Sequence, residues 1–277
     1  MRVWWGGQKI TNFKNSICEE LRQMRIIDTH CHIGLHKYEP VEVLLFHMQR
    51  AGVAQAVFIQ YMGNSDNQYL LDVMAAHPGK FAAAMIVPAD DDGSAIRAWA
   101  EKGIRGIRLA ANFRGTGSDP LAHWRTAAEL GLVVSAPSSP ASLASAEFAQ
   151  LLGLFPDLSI VIEHLGGAKP GMTLDEFVPV LTLAAHDNLT IKLPGFGEFC
   201  HLPHPFRDVP DFADRVLEAF GPRRVMWGSD WPPVSSREGY DSSLSFPMDY
   251  FADLSKDERA WIFGKAAQKV WKLPVVY

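Results

Sequence analysis

The sequence predicts an α/β fold, a single (β/α)8 TIM barrel, from the order of its elements and its length. Short β-branched runs alternate with helical stretches, and eight such pairs follow one another. Parallel strands need crossover connections, and helices supply them. The 277 residues fit eight units in one closed barrel, which takes about 250 residues. We therefore expect residues 25–277 to form the barrel and residues 1–24 an N-terminal lead-in segment.

Proline near helix starts and glycine after helix ends mark the expected elements. Pro40 and Gly52 flank one helix, Pro78-Gly79 ends the next, and Gly103 and Gly131 follow two others. Helices are expected at 12–24, 40–51, 66–77, 94–102, 119–130, 141–153, 173–186, 209–220 and 255–271. The β-rich runs between them predict strands at 25–29, 54–60, 81–87, 104–109, 132–135, 159–165, 189–193 and 224–230.

Composition excludes several classes of protein. The net charge is -5 without a basic block, so nucleic acid is not an expected partner. No apolar run reaches the roughly 20 residues of a membrane span, and the first residues lack the apolar core of a signal peptide. Three distant cysteines indicate reduced thiols in a cytoplasmic protein. A homo-oligomer stays open, because Trp4-Trp5 and Trp271 could cover the barrel base or a second subunit.

Two histidines, His30 and His32, are the first sign of a site. They follow the run Ile26-Ile27 and are separated by one residue. Residues two apart on a strand point to the same side. A single histidine is more often an ordinary hydrogen-bonded residue than a ligand. The pair predicts two imidazoles aimed at one place near the end of strand one.

Polar residues at other strand ends converge on the same mouth, where barrels of this kind carry their chemistry. His164 ends strand six and Asp230 ends strand eight. An aspartate at a strand end is often a helix N-cap, but Trp231-Pro232-Pro233 after Asp230 does not start a helix. Histidines with a carboxylate either bind a metal or polarise a carbonyl and activate water.

Two arginines near the end of strand four predict an anionic small-molecule substrate. A guanidinium binds a carboxylate through two hydrogen bonds, and Arg108 and Arg114 are six residues apart. Either one could instead pair with a structural carboxylate. Tyr61, Ser135 and His204 are further candidates for substrate contacts, from strand two, strand five and the loop after strand seven.

Three segments together resemble the amidohydrolase superfamily, in its branch of TIM-barrel hydrolases and decarboxylases. The segments are Ile27-Asp28-Thr29-His30-Cys31-His32, Ile160-Val161-Ile162-Glu163-His164-Leu165-Gly166-Gly167 and Met226-Trp227-Gly228-Ser229-Asp230-Trp231-Pro232. The resemblance covers about residues 25–273. Within the branch the chain is most similar to the lactonases, the 2-pyrone-4,6-dicarboxylate lactonase family above all, which carries two arginines at the spacing of Arg108 and Arg114.

The resemblance implies hydrolysis of a carboxylated lactone. Asp230 would activate water, His30, His32 and His164 would polarise the carbonyl, and Arg108 and Arg114 would hold the substrate carboxylate. No cofactor would be required. The alternative is a zinc-dependent decarboxylase or hydrolase of the branch, acting on an acidic aromatic-pathway metabolite, with the divalent metal on His30, His32 and Asp230.

One departure from the family bears on these alternatives. Metal-dependent decarboxylases of the branch have a histidine ligand at the end of strand five, where this chain has Val134-Ser135-Ala136. Its absence counts against a tightly held zinc. A barrel without catalytic activity, used for binding or assembly, is a third reading. It is disfavoured because isolated buried polar groups cost stability without function.

Overall fold

The computed structural model describes residues 24–275. Eight strands pair in parallel in the order β1 to β8, and an isolated bridge between Cys31 and Trp231 joins β1 to the segment that follows β8. The (β/α)8 barrel predicted from the sequence is therefore confirmed. The strands are β1 Ile26–Cys31, β2 Val53–Ile59, β3 Phe81–Met85, β4 Gly106–Arg108, β5 Val133–Ala136, β6 Ile160–Ile162, β7 Leu189–Leu193 and β8 Val225–Trp227.

Helices follow the strands and cover the outside of the barrel. Within residues 24–275, none of them has the length and apolar character needed to cross a membrane. The helices are α1 Val41–Ala51, α2 Gln68–Ala76, α3 Ser94–Glu101, α4 Ala122–Glu129, α5 Pro140–Leu143, α6 Ala146–Leu154, α7 Leu174–Thr182, α8 Phe212–Phe220, α9 Gly239–Tyr250, α10 Lys256–Ala260 and α11 Ala266–Trp271, the last two joined by a π-helical turn at Trp261–Lys265.

The sequence-based prediction missed helix α9. It begins at Gly239, and Pro247 lies inside it; both residue types have poor helix propensity. Its buried side chains pack it onto the barrel, so tertiary contacts outweigh that propensity. The expected helix at 141–153 is divided into α5 and α6. The expected helix at 12–24 and Trp4-Trp5 lie outside the described residues, and the domain boundary at residues 24 and 25 stays a prediction.

Trp271 closes the bottom of the barrel. Its side chain is buried and belongs to a cluster with the strand residues Ile27, Val57 and Val161. A Cβ on Gly106 would lie 2.6 Å from the Trp271 ring, so β4 passes directly against it. Of the two packing sites considered for Trp271, the structure shows the barrel base.

The junction of β1 and β8 is held by side chains as well as backbone. The buried Asp28 carboxylate accepts hydrogen bonds from the Ser229 amide at 2.8 Å and the Ser229 hydroxyl at 2.6 Å. The Asp230 amide donates to the His30 carbonyl at 2.8 Å. A Cβ on Gly228 would lie 2.8 Å from the His30 backbone nitrogen, so only glycine fits there. This junction sets where Asp230 lies relative to His30.

Removal of the Ser229 hydroxyl should loosen this junction. We expect Ser229→Ala to lower the free energy of unfolding by about 1–3 kcal/mol, because a buried carboxylate oxygen loses its donor. Urea unfolding at unchanged m-value measures the loss. Ser236→Ala is the matched control, since the Ser236 hydroxyl bonds only the nearby Pro233 carbonyl at an exposed position. Equal stability of the two variants would contradict the assignment.

Candidate active site

Three histidines and one aspartate meet at the C-terminal mouth of the barrel. The Nε2 atoms of His30 and His32 lie 3.8 and 3.5 Å from Oδ1 of Asp230. The His30 ring is 4.4 Å from the ring of His164 and 5.0 Å from that of His32, centroid to centroid. The structure therefore brings together the four residues that the sequence singled out, from positions 200 residues apart.

His164 and Asp230 both adopt left-handed backbone conformations, with φ of 48° and 59°. Such conformations are costly for non-glycine residues and cluster at functional sites. The turn at His164 continues through Gly166 and Gly167, also at positive φ. A Cβ on Gly167 would lie 2.5 Å from the Ser138 carbonyl oxygen. These glycines let the chain turn sharply enough after β6 to present His164 to the mouth.

A chain of charged groups holds the outer side of Asp230. Arg237 Nη2 lies 3.3 Å from Asp230 Oδ2 and 3.0 Å from Glu198 Oε2. The other Glu198 oxygen lies 3.4 Å from Nδ1 of His164. The sequence does not identify Glu198 or Arg237 as site residues, because no motif or strand end marks either of them. The loop at 194–208 thus supplies a carboxylate that links His164 to Arg237.

A buried polar network lies beneath the histidines. Lys192 Nζ is 3.1 Å from Nδ1 of His30 and donates to the Ser135 hydroxyl at 3.0 Å. Ser135 donates to Glu163 Oε1 at 2.7 Å. Arg108 donates to both Glu163 oxygens, at 3.1 and 2.8 Å. Side chains of four consecutive strands or strand ends therefore connect Arg108 to His30.

Burial and these partners shift the pKa values of the network. Burial, with Lys192 nearby, lowers the pKa of His30 well below its usual value, so the ring is neutral at pH 7. Burial lowers the pKa of Lys192 to about 8. Burial would raise the pKa of Glu163, but the cations of Arg108 and Lys192 outweigh it and lower the pKa to about 2. Burial likewise opposes ionisation of Asp230, yet the neighbouring histidines and arginine lower its pKa.

The two predicted substrate arginines are both engaged by the protein. Besides its pair with Glu163, Arg108 donates to the Gln60 carbonyl at 3.1 Å. Arg114 donates to the carbonyl oxygens of Phe113 and Glu147, at 2.8 and 3.0 Å. Arg114 makes none of the contacts of the buried network. The six-residue spacing therefore does not bring the two guanidinium groups onto one acceptor.

The remaining candidates differ in position. Ser135 belongs to the buried network described above. Tyr61 lies edge-on to Tyr38 at 5.3 Å, and Tyr38 stacks on His32 at 5.0 Å. Tyr61 thus borders the site one ring away from the histidine. His204 packs instead against Phe206 and Phe246, with ring centroids 5.4 and 6.0 Å apart.

Glu163 and His164 lie on the same side of the barrel, contrary to strand alternation. Strand alternation predicts that Glu163 and His164 point to opposite sides. In the structure β6 ends at Ile162, and the left-handed turn removes the alternation. Glu163 binds Ser135 inside the barrel while His164 contacts the His30 ring, so both face the mouth.

A metal ion is the first alternative to test against these residues. One donor atom each from His30, His164 and Asp230 lies within 4.8 Å of the others. This set differs from the one expected from the sequence by having His164 in place of His32. Lys192 disfavours a metal ion at this position. Its ammonium nitrogen lies 3.1 Å from Nδ1 of His30, so a metal ion bound to the same ring would lie close to another positive charge.

Loss of the Glu163 charge should destabilise the fold strongly. We expect Glu163→Gln to cost about 3–5 kcal/mol, because Arg108 stays buried without its counter-ion. Glu129→Gln is the control: it removes a carboxylate from an exposed pair with Arg97, and such pairs contribute about 1 kcal/mol or less. Chemical unfolding compares the two variants. A loss below 1 kcal/mol for Glu163→Gln would contradict the account of the network.

Two curated proteins are similar to this chain over most of its length. The chain is 31% identical over 251 residues to an L-fucono-1,5-lactonase of Burkholderia ambifaria, covering 82% of each chain. It is 26% identical over 240 residues to a 2-pyrone-4,6-dicarboxylate hydrolase of Comamonas testosteroni, covering 74% of this chain and 76% of that one.

A solved structure and a family profile extend the comparison. A zinc-bound amidohydrolase of Burkholderia multivorans superposes with a TM-score of 0.72 at 22% identity, covering 90% of this chain and 100% of that one. The profile described as amidohydrolase matches residues 27–273. The chain is an enzyme of the amidohydrolase family.

Proposed function

We propose that this enzyme opens a lactone ring by metal-independent hydrolysis, with Asp230 as the general base. The observation that carries the proposal is the contact of two imidazoles with one carboxylate: His30 and His32 both approach Asp230 Oδ1. The lowered pKa of Asp230 keeps its carboxylate ionised and able to accept a proton at neutral pH. Two named lactone hydrolases among the relatives support the reaction class.

The chemistry needs one water molecule and two proton transfers, both through Asp230. Asp230 takes a proton from water as the water oxygen bonds to the lactone carbonyl carbon. The negative charge that develops on the carbonyl oxygen is stabilised by the imidazoles of His30 and His164. His32, whose Nδ1 donates to the Ile59 carbonyl oxygen, contacts Asp230 through Nε2. The ring C–O bond then breaks, and the proton held by Asp230 passes to the leaving alkoxide. The product is a hydroxy acid, which releases a proton at neutral pH.

For the substrate, a neutral polyhydroxylated lactone has the better support. Arg108 is neutralised by Glu163, and Arg237 is shared by Glu198 and Asp230. These pairs leave little excess positive charge for an anion. The L-fucono-1,5-lactonase relative, at 31% identity, acts by its name on such a lactone.

A carboxylated lactone is the second candidate. Lys37 extends over the rings of Tyr38 and Tyr61, at 5.4 and 5.1 Å from their centroids, and places an ammonium group beside the site. The Arg108 side chain is 10% exposed. In this candidate Arg108 and Arg114 hold the substrate carboxylate, as the family resemblance implies, and each must share or exchange its present partners to do so.

Asp230→Asn should abolish most of the hydrolysis. We expect kcat to fall about 10²–10⁴-fold, the usual contribution of a positioned general base. Proton release in weakly buffered indicator solution measures the rate. Asp157→Asn, at an exposed loop position, is the control and should keep full activity. Full activity of Asp230→Asn would overturn the assignment of the base.

The same assay separates the metal-dependent alternative. Activity that survives exhaustive chelation supports the proposal. Activity lost to chelator and restored by zinc would favour the zinc hydrolase or decarboxylase.

A matched pair of substrates decides between the two lactone classes. We expect L-fucono-1,5-lactone to be hydrolysed with the higher kcat/KM, and 2-pyrone-4,6-dicarboxylate with the lower, because the site arginines are already paired. Lys37→Met should leave the neutral substrate unaffected. A preference for the dicarboxylate that Lys37→Met removes would establish the carboxylated class instead.

A further inference from the structure

Lys192 is a buried lysine that the proposed chemistry does not use. Lys192 is the next-to-last residue of β7, and its side chain is 1% exposed. Its Nζ lies 3.1 Å from Nδ1 of His30. Fully buried lysines are rare without paired charges. Its partners and its position against a site histidine therefore require an explanation.

The hydrogen-bond roles along the network follow from the chemistry of its ends. Glu163 is ionised and only accepts, so the Ser135 hydroxyl donates a hydrogen bond to it at 2.7 Å. Ser135 then has its lone pairs for Lys192, which donates at 3.0 Å. An ammonium group has three donors and no acceptor. At its contact with His30 it can therefore only donate, and Nδ1 of His30 must accept.

This assignment determines the proton of the His30 ring. A neutral imidazole has one N–H, so an accepting Nδ1 leaves the proton on Nε2. His30 Nε2 faces Asp230 at 3.8 Å and has no hydrogen-bond partner among the described residues. The ring thus presents an unsatisfied donor to the place where the carbonyl oxygen of a substrate would develop charge.

His32 has the opposite arrangement although it is only two residues away. Its Nδ1 lies 2.6 Å from the Ile59 carbonyl oxygen, and a carbonyl oxygen only accepts. Nδ1 of His32 therefore carries a proton. The backbone determines the proton position in His32, whereas in His30 a charged side chain does so.

We propose that Lys192 is a positioning residue that holds His30 in its Nε2–H form, which makes His30 an oxyanion donor and removes it from any set of metal ligands. A metal needs the unprotonated nitrogen of a neutral imidazole. With Lys192 donating to Nδ1, the nitrogen of His30 at the mouth has no free lone pair. The oxyanion role rests on the proposed function; the proton position does not.

The network explains how a charged lysine is tolerated beside a histidine. Lys192 and Arg108 are both within reach of Glu163, whose pKa of about 2 shows how strongly the two cations stabilise its charge. Removal of Lys192 leaves the bidentate Arg108–Glu163 pair intact. A neutral residue of similar length at position 192 should therefore fold.

Nitrogen-15 NMR of the imidazole rings tests the proton position directly in the wild-type protein. We expect a pyrrole-type Nε2 and a pyridine-type Nδ1 for His30, with its signals among the 10 histidines assigned by their loss in His30→Gln. In Lys192→Met the two forms should mix. A wild-type His30 protonated on Nδ1 overturns the proposal, whatever the enzyme hydrolyses.

Two further measurements use Lys192→Met. Its kcat should fall about 10²-fold, as for loss of one oxyanion donor, with KM nearly unchanged. Zinc retained after desalting should rise from trace amounts to a stoichiometric level, because the Nε2 lone pair becomes available. Unchanged kcat and unchanged zinc content would contradict the proposal. Lys102→Met, at an exposed helix end, is the control and should change none of these.

The outcomes separate the two proposals. If His30 shows the Nε2–H form in the wild-type protein and loses it in Lys192→Met, but no lactone is hydrolysed, the proposed function fails and the positioning role of Lys192 stands. If lactone is hydrolysed and the proton lies on Nδ1 of His30, the reverse holds.

Discussion

The contact of β1 with β8 is the constraint on which the site depends. A barrel of parallel strands has its last pairing between the first and last strands, and here that pairing is short. Asp28 strengthens it by binding both the amide and the hydroxyl of Ser229. Burial raises the pKa of Asp28 to about 6, so a costly buried carboxylate is retained at this point. The junction brings His30 and His32 from one strand to Asp230 after the other.

The interior of the barrel mouth is organised by charge rather than by apolar packing. Arg108, Glu163, Ser135 and Lys192 are joined by hydrogen bonds from 2.7 to 3.1 Å, and the network ends on His30. Buried ion pairs contribute little net stability against apolar residues of the same size. Their presence beneath a histidine cluster is better explained by orientation of the imidazoles.

Particular elements show how far sequence reasoning reaches. The sequence predicts strand β7 with the same bounds as the structure, because the strand is a short β-rich run. The sequence does not predict helix α9, because Gly239 and Pro247 have low helix propensity and packing against the barrel stabilises the helix. Arg237 was missed for a related reason: it reaches Asp230 from a loop whose path no local pattern predicts.

The sequence by itself determined the barrel and the four residues His30, His32, His164 and Asp230, because strand periodicity places strand-end side chains at one mouth. The tertiary structure alone decided their partners. It paired Arg108 with Glu163, turned Glu163 to the same side as His164, and put Lys192 against His30. Periodicity gives the side of a strand on which a residue lies. Hydrogen-bond roles and charge pairing depend on side chains from distant strands, and those distances exist only in the folded chain.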